Sequence, residues 1–181
     1  MFVDIEKNFP ALKELEKHYA ALREEVLAVP FSQYTPWADP NAYAGGWAIL
    51  ILFTKYPRWD YGKQMEQNRL SCPKTWDLVK DLPGKVMVGF SYQAPHTHVY
   101  PHRDLVDDDV LKENSIRCHM GIKVPAGKAP IRAGDQVSQY VEGKWLGFDG
   151  VKFEHEAGNL SDEPRVTLCV ELEYDPAKLV V

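Results

Sequence analysis

The sequence predicts a mainly β fold with helices ahead of it, closed as a sandwich or barrel. Three observations predict this. From Lys85 onward the chain reads as short strand-like runs between turn signals. Two of those runs alternate polar and apolar residues with a period of two. Only one long stretch, near the N-terminus, carries a clear helical stripe.

That stretch is residues 8–29. Leu12, Leu15, Tyr19, Leu22, Val26 and Val29 recur at spacings of three and four, which predicts one amphipathic helix. Asn8 is its expected N-cap, Pro10 falls in the first turn, and Pro30 ends it. Residues 31–46, rich in Pro, Gly, Asp and Asn, predict a loop. "WAILILFTKY" (47–56) predicts a buried strand, and "SCPKTWDLVKDLPG" (71–84) a short helix closed by Pro83-Gly84.

The remaining strands are "KVMVGFSY", "IRCHMGIKVP", "GDQVSQYVEGKWLGFDG" and "RVTLCVELEY". In 117–124, Arg117, His119, Gly121 and Lys123 oppose Cys118, Met120, Ile122 and Val124. In 165–173, Arg165, Thr167, Cys169, Glu171 and Glu173 oppose Val166, Leu168, Val170 and Leu172.

At 181 residues the chain suits one domain, with helices and a supporting strand over 1–84 and the β core over 85–181. A net charge of −5 argues against nucleic acid as the main partner, because neutralising phosphates needs a basic face. No basic start precedes an apolar run, so no signal peptide is expected, and "WAILILF" is too short to span a bilayer. Three widely spaced cysteines (Cys72, Cys118, Cys169) fit reduced thiols within the core. A cytoplasmic location is expected.

"PHTHVYPHRDLVDDD" (95–109) concentrates three histidines, an arginine and several acids. His102-Arg103-Asp104 imitates a protein-kinase catalytic loop, but the required Asn position holds Asp109, and neither G-x-G-x-x-G nor D-F-G occurs. The kinase reading fails. On an extended segment, however, His102 and Asp104 project to the same side and can converge on one ion. His155 follows fifty-one residues after Asp104, and Arg165 ten beyond that. This spacing suits a 2-His-1-carboxylate triad of His102, Asp104 and His155, with an arginine aimed into the barrel as a carboxylate clamp. Polar faces of alternating strands ordinarily meet water. Beside such a triad, those of Arg117, His119 and Arg165 read instead as a polar interior.

His96 and His98 also stand two apart but lack a carboxylate in register, so they read as turn polarity or as partners outside the ligand set. His18 reads as solvated, and Asp107-Asp108-Asp109 as an exposed acidic loop. No C-x-x-C motif or G-x-S-x-G elbow occurs.

The segments "SYQAPHTHVYPHRD", "IRCHMGIKVP" and "GDQVSQYVEGKWLGFDGVKFEHEAGNLSDEPRV" resemble the aspartyl/asparaginyl β-hydroxylase-like oxygenases, which depend on iron(II) and 2-oxoglutarate. The resemblance runs from "NFPALKELEKHYAALREEVLAV" through "CVELEYDP". It implies a double-stranded β-helix, a cupin-like jelly roll, with helices packed against one sheet. It implies that His102 and His155 bind iron and that Arg165 and Ser91 hold the distal carboxylate of 2-oxoglutarate. Arg117 and His119 would lie near that cosubstrate's other end.

Two departures stand out. The animal enzyme has glycine where this chain has Asp104, which bacterial relatives with H-R-D share. The segment between His102 and Arg117 is also longer than in the family. No tetratricopeptide module like that beside the animal catalytic domain is expected here.

The implied activity uses dioxygen to hydroxylate an unactivated C–H, with succinate and carbon dioxide as co-products. An amino acid or small amino-acid-derived metabolite is the expected substrate, with a peptidyl Asp/Asn residue or an acyl chain as alternatives. A jelly roll binding metal or carboxylate without oxidation is the competing class, as is a fold that has lost its activity. Arg165 favours the oxygenase, because a plain metal-binding barrel needs no clamp there.

Overall fold

The computed structural model describes residues 1–56, 62–104 and 114–181. The acidic run Asp107–Asp109 lies outside them. Among the described residues the strands are, in order, Phe2–Val3 (β1), Thr35–Pro36 (β2), Tyr43–Ala44 (β3), Trp47–Thr54 (β4), Lys85–Gln93 (β5) and Thr97–His102 (β6). There follow Ser115–Lys123 (β7), Pro130–Ala133 (β8), Gln136–Gln139 (β9), Trp145–Phe148 (β10), His155–Asn159 (β11) and Arg165–Glu173 (β12). They form two antiparallel sheets, ordered β1-β10-β7-β12-β5-β4-β2 and β3-β6-β11-β8-β9. The fold is mainly β, a jelly roll as expected.

The expected loop 31–46 supplies β2 and β3, one to each sheet. The run 134–150 divides: β9 joins the five-stranded sheet and β10 the seven-stranded one. Between them the chain turns at Gly143, whose φ of 71° favours glycine.

The N-terminal helix is not continuous. Ile5–Asn8 (α1), Pro10–Leu15 (α2) and Tyr19–Leu27 (α3) are separate, with a 3₁₀ turn at Glu16–His18. Phe9, just before Pro10, lies outside the helical region at φ −136°, ψ 62°. Proline crowds the preceding residue out of the helical conformation, so Pro10 starts a helix of its own. Asn8 is therefore no N-cap; it closes α1, and its amide donates to the Asp4 and Val180 carbonyls. Asp4 caps α1 by accepting from the Lys7 N–H at 3.0 Å. The apolar stripe itself holds: Leu12, Leu15, Leu22 and Val26 are buried against the seven-stranded sheet.

Gly62–Ser71 (α4) precedes Pro73–Val79 (α5) and carries almost no apolar stripe. Its anchors are polar. The Asn68 amide donates to the Ile51 carbonyl at 2.8 Å and Arg69 Nε to Leu52 at 2.7 Å. Those carbonyls lie where β4 bulges against β5, between Ile51 and Phe53.

The alternating strands bury both faces. On β12, Leu168 and Val170 pack with the helices, while Arg165, Thr167, Cys169 and Glu171 point between the sheets, all buried. Helices cover the outer face, so the polar side chains are left to the interior. The predicted polar interior is observed.

Candidate functional site

β6 and β11 pair antiparallel with His102 directly opposite His155. Cross-strand neighbours are close enough for their side chains to touch, and the two imidazole centroids are 4.2 Å apart. Asp104 follows β6 by two residues, held where its N–H donates to the Gly150 carbonyl at 2.9 Å. Its Oδ1 lies 3.9 Å from Nε2 of both His102 and His155. One ligand atom from each residue lies within 4.8 Å of the others.

The tautomers suit ligation. His102 Nδ1–H donates to the Tyr100 carbonyl at 2.7 Å, and His155 Nδ1–H to that of Phe153 at 3.3 Å. Nε2 is therefore the ring nitrogen that each turns toward Asp104. Burial, reinforced by His102 and Arg117 against the pull of Asp104, lowers the His155 pKa to about 4. A neutral imidazole is the ligating form. A built Cβ on Gly150 would stand 2.3 Å from Asp104 Oδ2 and 3.0 Å from His155 Cε1, so only glycine leaves this corner clear. Two imidazoles and one carboxylate form a donor set that fits a divalent first-row metal with open positions.

These groups line a cavity between the sheets. Arg165 lines the same cavity from β12, opposite Gln93 of β5. Its guanidinium is 2 % exposed and donates to the Gly158 carbonyl at 3.2 Å, while Nε has no partner. Its carbon lies 4.2 Å from the Tyr140 ring centroid. No carboxylate among the described residues pairs with it. Burial accordingly lowers its pKa, with Tyr140 and Cys169 opposing. Ser91 also faces the cavity; its Oγ accepts from Trp47 Nε1 at 2.9 Å and keeps its own proton to donate.

Arg117 and His119 line the cavity too. Arg117 Nη2 contacts Asp104 Oδ2 at 3.0 Å and Glu171 Oε2 at 3.4 Å. Burial, with Arg117 and Arg165 nearby, pushes the His119 pKa well below its usual value. Its Nδ1 lies 2.9 Å from the Tyr140 hydroxyl, whose pKa burial raises to about 12. The two form a neutral hydrogen-bonded pair in which the His119 tautomer decides the donor.

His96 and His98 stand outside the cluster. Their Nε2 atoms meet Asp162 at 2.9 Å and Glu156 at 2.8 Å on the surface. His18 is exposed, and the three cysteines are buried and free. Sequence reasoning did not select Glu171, Gln93, Tyr140, Trp47 or Gly150. Glu171 was readable, since it shares the Arg165 face of an alternating strand; Tyr140 and Gly150 sit outside the strands, with no periodic signal.

Residues 16–174 match the family model described as aspartyl/asparaginyl beta-hydroxylase. The chain belongs to that family. Among curated members of this hydroxylase family, it is 33% identical over 168 residues to the ornithine lipid ester-linked acyl 2-hydroxylase of Rhizobium tropici, covering 91% of this chain and 57% of that protein. It is 27% identical over 169 residues to the human aspartyl/asparaginyl beta-hydroxylase, covering 89% of this chain and 21% of that one. The chain thus spans only part of these relatives. A Pseudomonas putida prolyl-4-hydroxylase structure shares the fold, with a TM-score of 0.54 at 16% identity over 90% of this chain and 88% of that one. Among the described residues no helix is long and apolar enough to cross a membrane.

Proposed function

We propose that this chain is an iron(II)- and 2-oxoglutarate-dependent hydroxylase acting on an amino acid or a small amino-acid-derived molecule. The observation that carries the reading is Arg165, a buried cation without a carboxylate partner among the described residues, on the wall of the cavity that His102, Asp104 and His155 also line. An uncompensated buried charge is costly unless a ligand neutralises it. A dicarboxylate cosubstrate would meet that need with one carboxylate, in the cavity that the triad also lines.

In this reading His102, Asp104 and His155 hold the metal. Two neutral imidazoles and one carboxylate leave the centre at about +1, which favours an anionic 2-oxo acid. When bound, iron(II) with 2-oxoglutarate and dioxygen converts an unactivated C–H to C–OH, releasing succinate and carbon dioxide. The protein's own part is positional. Arg165 and the Ser91 hydroxyl take the distal carboxylate. His119, Tyr140 and the Arg117 guanidinium line the same cavity.

A second reading, hydroxylation of an acyl chain on an amino-acid-derived lipid, is favoured by the similarity to the Rhizobium acyl 2-hydroxylase. The stacked Trp37 and Trp47 rings lining the cavity, with centroids 4.2 Å apart, offer an apolar surface to such a chain. The experiment is succinate-coupled turnover with iron(II), 2-oxoglutarate and labelled dioxygen, using free amino acids in one arm and ornithine-lipid vesicles in the other. The label should enter one product in step with succinate. Absence of 2-oxoglutarate turnover in every arm, uncoupled turnover included, would overturn the proposal.

A further inference from the structure

Glu171 is 1 % exposed near the C-terminal end of β12, where an unpaired carboxylate would be costly. It is thoroughly partnered. Oε1 accepts from the Ser115 hydroxyl at 2.8 Å, and Oε2 from the Tyr56 hydroxyl at 2.8 Å and Arg117 Nη2 at 3.4 Å. Arg117 sits directly opposite it on β7. The same Nη2 reaches Asp104 Oδ2 at 3.0 Å. Asp104 lies beyond the end of β6, so the chain of contacts crosses from the seven-stranded sheet to the five-stranded one.

We infer that Glu171 is a positioning residue for the metal centre, acting through Arg117 to fix which oxygen of Asp104 faces His102 and His155. The inference rests on the proposed metal-binding role of those three residues. With Oδ2 occupied by the guanidinium, Oδ1 is the atom presented to both imidazoles. Glu171 does two things to that arrangement. It anchors the guanidinium from the opposite strand, and it supplies a second negative charge so that Arg117 does not neutralise Asp104 alone. Without it, the full charge of Arg117 falls on Asp104 and weakens its donation to a cation. Groups bonded to a metal ligand, as Arg117 is to Asp104, command about 10- to 100-fold in metal affinity, and Glu171 acts through that group.

The test is cobalt(II) titration of the full chain, read by calorimetry and by the visible spectrum of the bound ion, with a thermal melt beside each. Glu171→Gln should remain folded at the titration temperature, weaken cobalt binding about tenfold or more, and alter the bound-ion spectrum. Glu171→Asp, which keeps the charge, should recover part of the affinity. A merely structural glutamate predicts a lowered melting temperature with the wild-type dissociation constant and spectrum, and that result would overturn the inference. Should Glu171→Gln not fold, Arg117→Lys carries the same test. One ammonium in place of the guanidinium should weaken cobalt binding to a similar degree, and wild-type affinity there sinks the strut. If the wild-type chain binds no cobalt, the metal reading falls and the role of Glu171 falls with it.

Discussion

Arg165 lies with its guanidinium carbon 4.2 Å from the Tyr140 ring centroid, a buried cation on an aromatic face rather than on a carboxylate. Such stacking compensates part of the desolvation of the charge, about 2 kcal/mol when the pair is dry, and leaves the rest for a ligand. Replacing Arg165 by Ala is expected to weaken 2-oxoglutarate binding by on the order of 2–5 kcal/mol while metal affinity stays nearly unchanged. Parallel titrations of metal and 2-oxoglutarate check this; equal loss of both would remove Arg165 from the clamp.

His155→Ala removes one of two facing imidazoles from β11 without touching the main core. The variant is expected to keep a folded circular-dichroism spectrum and lose 2-oxoglutarate turnover. Retained turnover would take His155 off the ligand set.

Gly150→Ala should act on the metal centre rather than on the fold. The added methyl would crowd Asp104 Oδ2, the oxygen that Arg117 holds, so the carboxylate must shift. Metal affinity should fall by about tenfold or more, with a melting temperature close to wild type. Cobalt titration paired with a thermal melt separates these effects.

Leu22→Ala should do the reverse. Leu22 is fully buried in α3 within the main core, away from the cavity. The cavity left behind should cost about 2–5 kcal/mol of stability, visible in denaturant unfolding, with cobalt affinity unchanged. A shift in affinity would show that the helical layer couples to the site.

Much of this was legible because period-two alternation survives packing. Arg165 and Glu171 share a face whichever neighbours their strand acquires. What alternation cannot say is which face meets water. Here helices cover the apolar side, and the polar side is forced into the interior. H-x-D on an extended segment similarly aimed His102 and Asp104 together before any partner strand was known. Other features had no local signal. The break at Phe9 follows from the proline after it and was overridden by the continuous stripe on either side. The helix Gly62–Ser71 is held by Asn68 and Arg69 on carbonyls of a bulged strand, which no hydrophobic period announces. Tyr140 and Gly150 matter through contacts with residues distant in sequence, and only the closed sheets bring those together.

The central claim is that one metal ion and one 2-oxo dicarboxylate occupy this cavity together. Anaerobic addition of 2-oxoglutarate to the iron(II)-loaded chain tests it most directly, read as a visible charge-transfer band. The account predicts a band that saturates at one equivalent, disappears in His155→Ala, and needs far more 2-oxoglutarate in Arg165→Ala. An iron-loaded wild-type chain that develops no band at saturating 2-oxoglutarate would contradict it.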